Sequence, residues 1–408
     1  MVGRSRIRRY VAAVVLGTLV VSVAGCSAIA DEPAAAPVRI AADLELTGDG
    51  SALGTVYRNA LELRVEQVNQ QRLLGDRRLE LDVLDNRSDP ATSAGNIEQL
   101  SADGDLTAII TGACAECVVA AVDTINGRGL PTISLAAPTT ISEPVDQRQY
   151  VFKLGPNPDH TASALTGALA GVDTIGLVTT ADQYGADGLA EMTAATDRVD
   201  IEIVVHEEVG GDGDLSAAAG RIAAFQPEPA DPGLPADPAA EPQVGPDAVV
   251  VWTYPSLAAE VATSLRGAGY EGPLYLDAVA AGDLFLTGAS RGALAGATMV
   301  FTETMVMDEV VATSPAKAAR KTWFRDYTAR FGTYHAASSF AADAVALVVA
   351  AVNRSGSTNR VLVRDSMEIS QLDGLSGPLK LTPSQHSGLM PQALTLLTVR
   401  GDRWRLGG

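Results

Sequence analysis

From Val38 onward the chain alternates between short apolar runs and longer stretches whose apolar residues recur every three or four positions. The short runs read as strands buried on both faces, the longer stretches as amphipathic helices. This predicts strands at 38–44, 79–84, 106–111, 130–134 and 151–154, with helices at 53–71, 90–101 and 116–128 between them. The rhythm then restarts with a helix near 161–170, a strand at 174–179, a helix over 185–195, a strand at 199–206 and a helix at 214–225. A strand at 248–252, a helix at 256–267 and a strand at 273–276 continue it. Longer helices at 315–331 and 338–352 and two last strands at 375–381 and 393–399 close the chain. Such alternation predicts parallel sheets with right-handed crossovers. Each set opens alike: Ile40 to Leu46 before Thr47-Gly48-Asp49-Gly50, and Ile175 to Val178 before Thr179 to Gly185. Two similar α/β lobes, dividing near residue 154, are the simplest account.

Two stretches break the pattern. Residues 226–246 hold Pro227, Pro229, Pro232, Pro235, Pro238, Pro242 and Pro246, which excludes helix and central strand and predicts an exposed insertion in the second lobe. At the other end Arg4, Arg6, Arg8 and Arg9 precede an apolar run from Val11 to Val23. A basic head before a run too short to span a bilayer is the pattern of a secretory signal. Its ending, Val23-Ala24-Gly25-Cys26, resembles the lipobox of bacterial lipoproteins. The resemblance implies cleavage after residue 25, a lipid on Cys26 and a flexible tether over 26–37, so that the protein is held at the extracytoplasmic face of the cell membrane.

Composition narrows the function. The formal charge of −19 becomes −23 once residues 1–25, with four arginines and no acid, are removed. Phosphate repels so acidic a chain, which excludes non-specific nucleic-acid binding. Four histidines without a His-Glu-x-x-His or a His/Cys cluster offer no metal site, and no Gly-rich phosphate loop is present, so no cofactor is expected. Besides Cys26 the cysteines are Cys114 and Cys117. In an oxidising compartment two nearby thiols usually join. The pair is either a small disulfide bracing its turn or a redox pair. The residues around it do not resemble a thioredoxin, which favours the brace. Gly288-Ala289-Ser290-Arg291-Gly292 matches a nucleophile elbow, with His335 or His386 downstream. The elbow needs a strand before it and a helix after it, whereas residues 280–287 read as helix or loop and 291–296 lead to a strand at Ala297.

The order of elements resembles the type I periplasmic solute-binding proteins, in the branched-chain amino-acid-binding branch. The matches run from Ile40 to Gly54, through Asn86-Arg87-Ser88-Asp89-Pro90, Ile109-Ile110-Thr111-Gly112 and Leu130-Pro131-Thr132-Ile133-Ser134. Asp182-Gln183-Tyr184-Gly185, Asp247 to Val251 and Gly269-Tyr270-Glu271-Gly272-Pro273 follow, then Phe340-Ala341-Ala342-Asp343-Ala344 and Leu375-Ser376-Gly377-Pro378-Leu379. The resemblance implies two Rossmann-like lobes with parallel sheets, joined by a multi-crossing hinge near residues 154, 279 and 385. Lobe one would comprise 38–154 and 281–385, and lobe two 155–280 and 386–408. It also implies a non-enzymatic receptor that closes on a small polar molecule and serves an ABC importer permease or, as a variant, a signalling partner. An exported serine hydrolase using Ser290 is the alternative from another class.

The ligand would lie between the lobes, against strand C-termini and helix N-termini, where unpaired N–H groups attract an anion. On lobe one this implicates the turn 113–117, with Ala115 and Glu116, and the turn 136–139, with Ala137 and Thr139. On lobe two it implicates Tyr184, Tyr254 and Asp277, the tyrosines sandwiching the ligand and the carboxylate meeting an ammonium or amide. Alanine at 115 and 137, where relatives carry hydroxyls, and Leu53, where some carry an aromatic, count against an ordinary amino-acid ligand. Trp252 reads as core.

Overall fold

The structure, a computed structural model, describes residues 35–210, 213–226, 244–279 and 290–407. The signal, Cys26, most of the Pro-rich insertion and Gly288-Ala289 of the elbow lie outside the described residues. No described helix is long and apolar enough to cross a membrane.

The apolar runs are strands because both of their faces are covered. β1 (Val38–Leu44) and β3 (Leu106–Thr111) are buried almost throughout and pair in parallel. With β2 (Leu79–Asp85), β4 (Thr132–Ser134) and β5 (Val151–Lys153) they form a wholly parallel sheet in the order β2-β1-β3-β4-β5. Its crossovers are helices α1 (Ser51–Gln70), α2 (Pro90–Ser101) and α3 (Ala115–Arg128). The ends of these helices are written locally. Asp89 caps α2 by accepting from the Thr92 N–H, with Pro90 at the first helical position, and Gly129 ends α3 in the left-handed region at φ +57°.

The second sheet repeats the plan. After α4 (Pro158–Ala168) come β6 (Thr174–Thr180), α5 (Gln183–Thr196), β7 (Glu202–Val209), α6 (Leu215–Ala223), β8 (Ala248–Trp252), α7 (Pro255–Gly267) and β9 (Leu274–Leu276). A short helix, α8 (Ser290–Ala293), leads to β10 (Thr298–Thr302). Helices α9 (Pro315–Phe331), α10 (Ser338–Ser355) and α11 (Arg360–Met367) and the small ribbon β11 (Gln371–Asp373) and β12 (Pro378–Lys380) follow. The chain ends in a hairpin of β13 (Leu394–Arg400) and β14 (Arg403–Leu406). The order β14-β13-β10-β9-β8-β6-β7 is parallel from β7 to β10 and antiparallel in the last two strands.

The fold is the predicted one, with corrections. β10 pairs with β9 on one side and β13 on the other, so residues 290–302 belong to the second sheet and not to lobe one. The chain returns to lobe one after Thr302, where α9, α10 and α11 pack around the first sheet and α1. It stays until Ser387, which bridges to Lys153 beside β5. The expected crossings near 279 and 385 therefore fall near 303 and 389. β7 starts three residues late, after Asp200 turns the chain at φ +58°. Only Pro378–Lys380 of the predicted strand at 375–381 is extended. Residues 374–377 instead wrap buried Asp343, which accepts from the Leu375 and Ser376 N–H groups at 2.7 and 2.8 Å and from the Ser376 hydroxyl. Two separate sequence matches, at 340–344 and 375–379, are thus one structural unit.

Candidate functional site

In each sheet the strand order reverses once among the parallel strands: between β1 and β3 in the first, between β6 and β8 in the second. Open α/β sheets bind ligands in the crevice beyond the strand C-termini at such a switch point. The residues leaving these four strands are Glu45, the turn 112–117, the turn 181–185 and Thr253-Tyr254. Among the described residues, two of the contacts between the lobes lie beside these turns. The Thr139 N–H donates to Asp187 Oδ2 at 2.7 Å, from the end of β4 to α5. Ala137 packs in the same apolar cluster as Ala162, Leu165 and Trp252 of the second lobe.

In the first crevice Glu45 is the dominant feature. Its carboxylate accepts from the Ala113 N–H at 3.2 Å and the Cys114 N–H at 2.9 Å, and it is 2% exposed. Burial raises its pKa, partly offset by these N–H bonds and the Asn86 amide. Gly112 makes room for it, since a Cβ there would stand 2.0 Å from Glu45 Oε2. Of the residues expected here, Ala115 and Ala137 are buried, Glu116 is exposed and Thr139 is half-buried at the start of a short 3-10 turn. Leu53 is half-buried against the first lobe's core. Cys114 caps α3, and its Sγ lies 1.96 Å from that of Cys117, at bonding distance. A Glu45 oxygen and both sulfurs lie within 4.8 Å of one another. Sulfurs at bonding distance from each other offer no thiolate to a metal.

In the second crevice Tyr184, Tyr254 and Asp277 do converge. Asp277, fully buried, accepts from the Tyr184 hydroxyl, from the Thr253 N–H at 3.1 Å and from the Val279 N–H at 2.9 Å. Its carboxylate thereby organises the strand ends of β8 and β9. The Tyr254 hydroxyl donates to Asp182 Oδ2 at 2.8 Å, across the switch point. Burial, then the charges of Asp182 and Glu116, hold the Tyr254 proton on; the influence of Glu116 comes from the opposite lobe. The expected sandwich is not available in this geometry. The two tyrosine rings pack on each other, centroids 5.6 Å apart at 31°, and a ligand between them needs about 7 Å, twice an ordinary aromatic contact. They form one wall instead, backed by Trp252, which is fully buried as expected.

Three residues escaped the sequence reading. Glu45 follows β1 without any motif to mark it. Asp187 is one carboxylate among many on a helix. Lys153, at the end of β5, is fully buried and donates from Nζ to the Ala137 carbonyl at 2.6 Å. Desolvation lowers its pKa to about 7 against the opposing pull of Asp159, Asp187 and Glu143. A lysine enclosed by Val151, Phe152 and Leu154 was the available signal. Of the hydrolase candidates, His386 lies beside β5, bound to the Val151 carbonyl and Glu368, while Ser290 opens the helix before β10 in the other sheet. His335 is buried, which lowers its pKa to about 4.

Comparison with known proteins fits this geometry. The sequence matches the family described as periplasmic binding protein over residues 37–403. No curated protein matches the chain. An extracellular ligand-binding receptor from Rhodopseudomonas palustris HaA2 superposes with a TM-score of 0.78 at 22% identity, covering 91% of this chain and 99% of that one. A leucine-binding protein from Thermotoga maritima gives 0.75 at 18% identity over 91% and 98%. The branched-chain amino-acid transporter substrate-binding protein of Streptococcus pneumoniae, solved with isoleucine, gives 0.73 at 20% identity over 90% and 96%. At these identities the likeness speaks to the fold. With two sheets built on the same doubly wound plan, and a family match running through both, this chain belongs to the periplasmic binding protein family and has its type I fold.

Proposed function

We propose that this protein is a lipid-anchored extracytoplasmic receptor, not an enzyme, which closes its lobes on a small polar ligand bearing a cationic or amide group and delivers it to an ABC importer permease. The observation that carries the ligand class is Glu45 on the Ala113 and Cys114 N–H groups. An anionic ligand would have to displace the Glu45 carboxyl oxygens from these N–H groups, and Glu116, Asp182 and Asp187 add negative charge around the same opening. The leucine-binding relative and the relative solved with isoleucine support an amino-acid-sized ligand, met here through its amine or amide end. The hinge is the set of three crossings after Lys153, Thr302 and Ser387.

Titration calorimetry of the purified protein with amines, amides, amino acids and simple carboxylates tests this. Amines or amides should bind, and a preference for carboxylates lacking nitrogen would overturn the ligand class. Once a ligand is in hand, Tyr254→Ala should weaken it by about 1 kcal/mol, roughly fivefold. Labelling of Ser290 by a fluorophosphonate would replace the receptor reading with the hydrolase one. A signalling protein co-purifying in place of a permease would select the sensor variant.

The anchor has its own test. Cys26→Ala should shift the protein out of the membrane fraction, because no lipid can then be attached. An unchanged membrane fraction would sink the lipoprotein assignment.

A further inference from the structure

We propose that Cys114 and Cys117 form an exchange-competent dithiol–disulfide couple in which Glu45 gives and takes the proton of Cys117. The two sulfurs are unequal. Cys114 is half-buried at the N-cap of α3 and its Sγ accepts from the Cys117 N–H at 3.2 Å, whereas Cys117 is 1% exposed. An incoming thiolate can therefore reach Cys114 and not its partner. A thiolate on Cys114 would sit at the start of a 14-residue helix, where the N–H groups and the dipole favour negative charge.

Glu45 is the second, independent observation. It comes from the end of β1, far away in sequence, and brings a carboxyl oxygen to within 4.8 Å of both sulfurs, a gap that one water can bridge for proton transfer. Its donors are the Ala113 and Cys114 N–H groups and the Asn86 amide, none of them cationic. Tyr57 from α1 also faces it, its hydroxyl proton held on chiefly by burial, and the Asn86 amide is divided between Glu45 and Asp43. Burial favours the protonated acid. A bridge that only braced its turn would gain little, because so short a loop loses little entropy when it is closed. Nor would such a bridge require a buried carboxyl beside it, which is costly to keep.

The step balances with an exported dithiol as co-reactant. Its thiolate attacks Cys114 Sγ, a mixed disulfide forms, and the S–S bond breaks with its electron pair on Cys117 Sγ. Glu45 transfers its proton to that sulfur and is left as a carboxylate on the two N–H groups. The second thiolate of the dithiol then attacks the mixed disulfide and releases Cys114 as a thiolate, which takes its proton from water. The dithiol is oxidised to a disulfide by two electrons, and the protein pair is reduced by the same two. The reverse sequence reoxidises the protein.

Free-thiol labelling of the full protein, unfolded but unreduced, should find neither Cys114 nor Cys117 free; two reactive thiols would overturn the proposal. Dithiothreitol should then reduce the native pair faster than the same pair in denaturant. Cys117→Ser should be recovered with a small thiol disulfide-linked to Cys114. Glu45→Gln should slow native reduction at neutral pH by roughly 100-fold, the usual weight of a placed proton donor, without changing the rate in denaturant. Equal rates for Glu45→Gln and the parent, or native reduction no faster than reduction in denaturant, would overturn it. If Glu45→Gln does not fold, the parent decides. Reduction in denaturant should climb about tenfold per pH unit with ionisation of the reagent. Native reduction should exceed that line at low pH and rejoin it as Glu45 ionises, and superimposed profiles would refute the role of Glu45.

Discussion

Between pH 7 and pH 9 the parent should gain about 2 kcal/mol of unfolding free energy relative to Lys153→Met. Lys153 is enclosed at the end of β5, with its ammonium on the Ala137 carbonyl and a more distant Pro156 carbonyl. Desolvation takes its pKa from 10.5 to about 7 in the folded protein. Over that interval the unfolded chain binds the proton and the folded one does not, so stability rises with pH at about 1.4 kcal/mol per unit once the folded pKa is passed. Below pH 7 both states are charged and the full cost of burial is present. The methionine variant keeps the stem's packing and has no proton to lose, so titrations elsewhere cancel in the difference. Urea unfolding of both proteins at the two pH values measures it. A difference independent of pH would mean that the ammonium stays charged and compensated.

Asp277→Ala should lower unfolding free energy by about 3–5 kcal/mol, the largest loss expected of a single truncation here. The cost comes less from the lost carboxylate than from what it leaves behind. The Tyr184 hydroxyl and the Thr253 N–H would stay buried without this acceptor, at roughly 1–3 kcal/mol each when unpaired, and the half-buried Val279 N–H would lose its partner as well. Tyr184→Phe removes one donor together with one use of the acceptor and should cost about 1 kcal/mol. Denaturant unfolding of the two variants beside the parent checks the ordering. If Asp277→Ala is as stable as Tyr184→Phe, the strand ends are not organised by this carboxylate.

Periodicity was enough to read most of the fold. β1, α2, β3, β8 and α9 lie where the apolar spacing places them, because each buries what it buries within its own few turns or residues. α11 and the short strands β11 and β14 offer too few periods to register, and β10 was legible only as a strand beginning near Ala297. Its sheet was not legible, since partner choice depends on residues as distant as Leu394–Arg400. The site shows the same division. Tyr184, Tyr254 and Asp277 could be placed at strand ends from the order of elements. That the two rings stack on each other, that Asp277 is taken up by neighbouring donors, and that Glu45 fills the first crevice are facts of distance between segments. No spacing along the chain encodes them.

The return of the chain to the first sheet after Thr302 sets the order in which that lobe can be finished. α1 buries Tyr57, Leu61 and Val68, and its covering is α10, together with a Gln67–Asp326 hydrogen bond at 3.2 Å to α9. During synthesis the first five strands can pair while this helix face stays open, until α9 and α10 have been made. The five parallel strands of the second sheet, β6 to β10, are made in the interval. Long-range closure of this kind slows folding and leaves apolar surface exposed meanwhile. The nascent first lobe is therefore the stage at which a holding chaperone would act, and a chain cut after β10 would keep that surface uncovered.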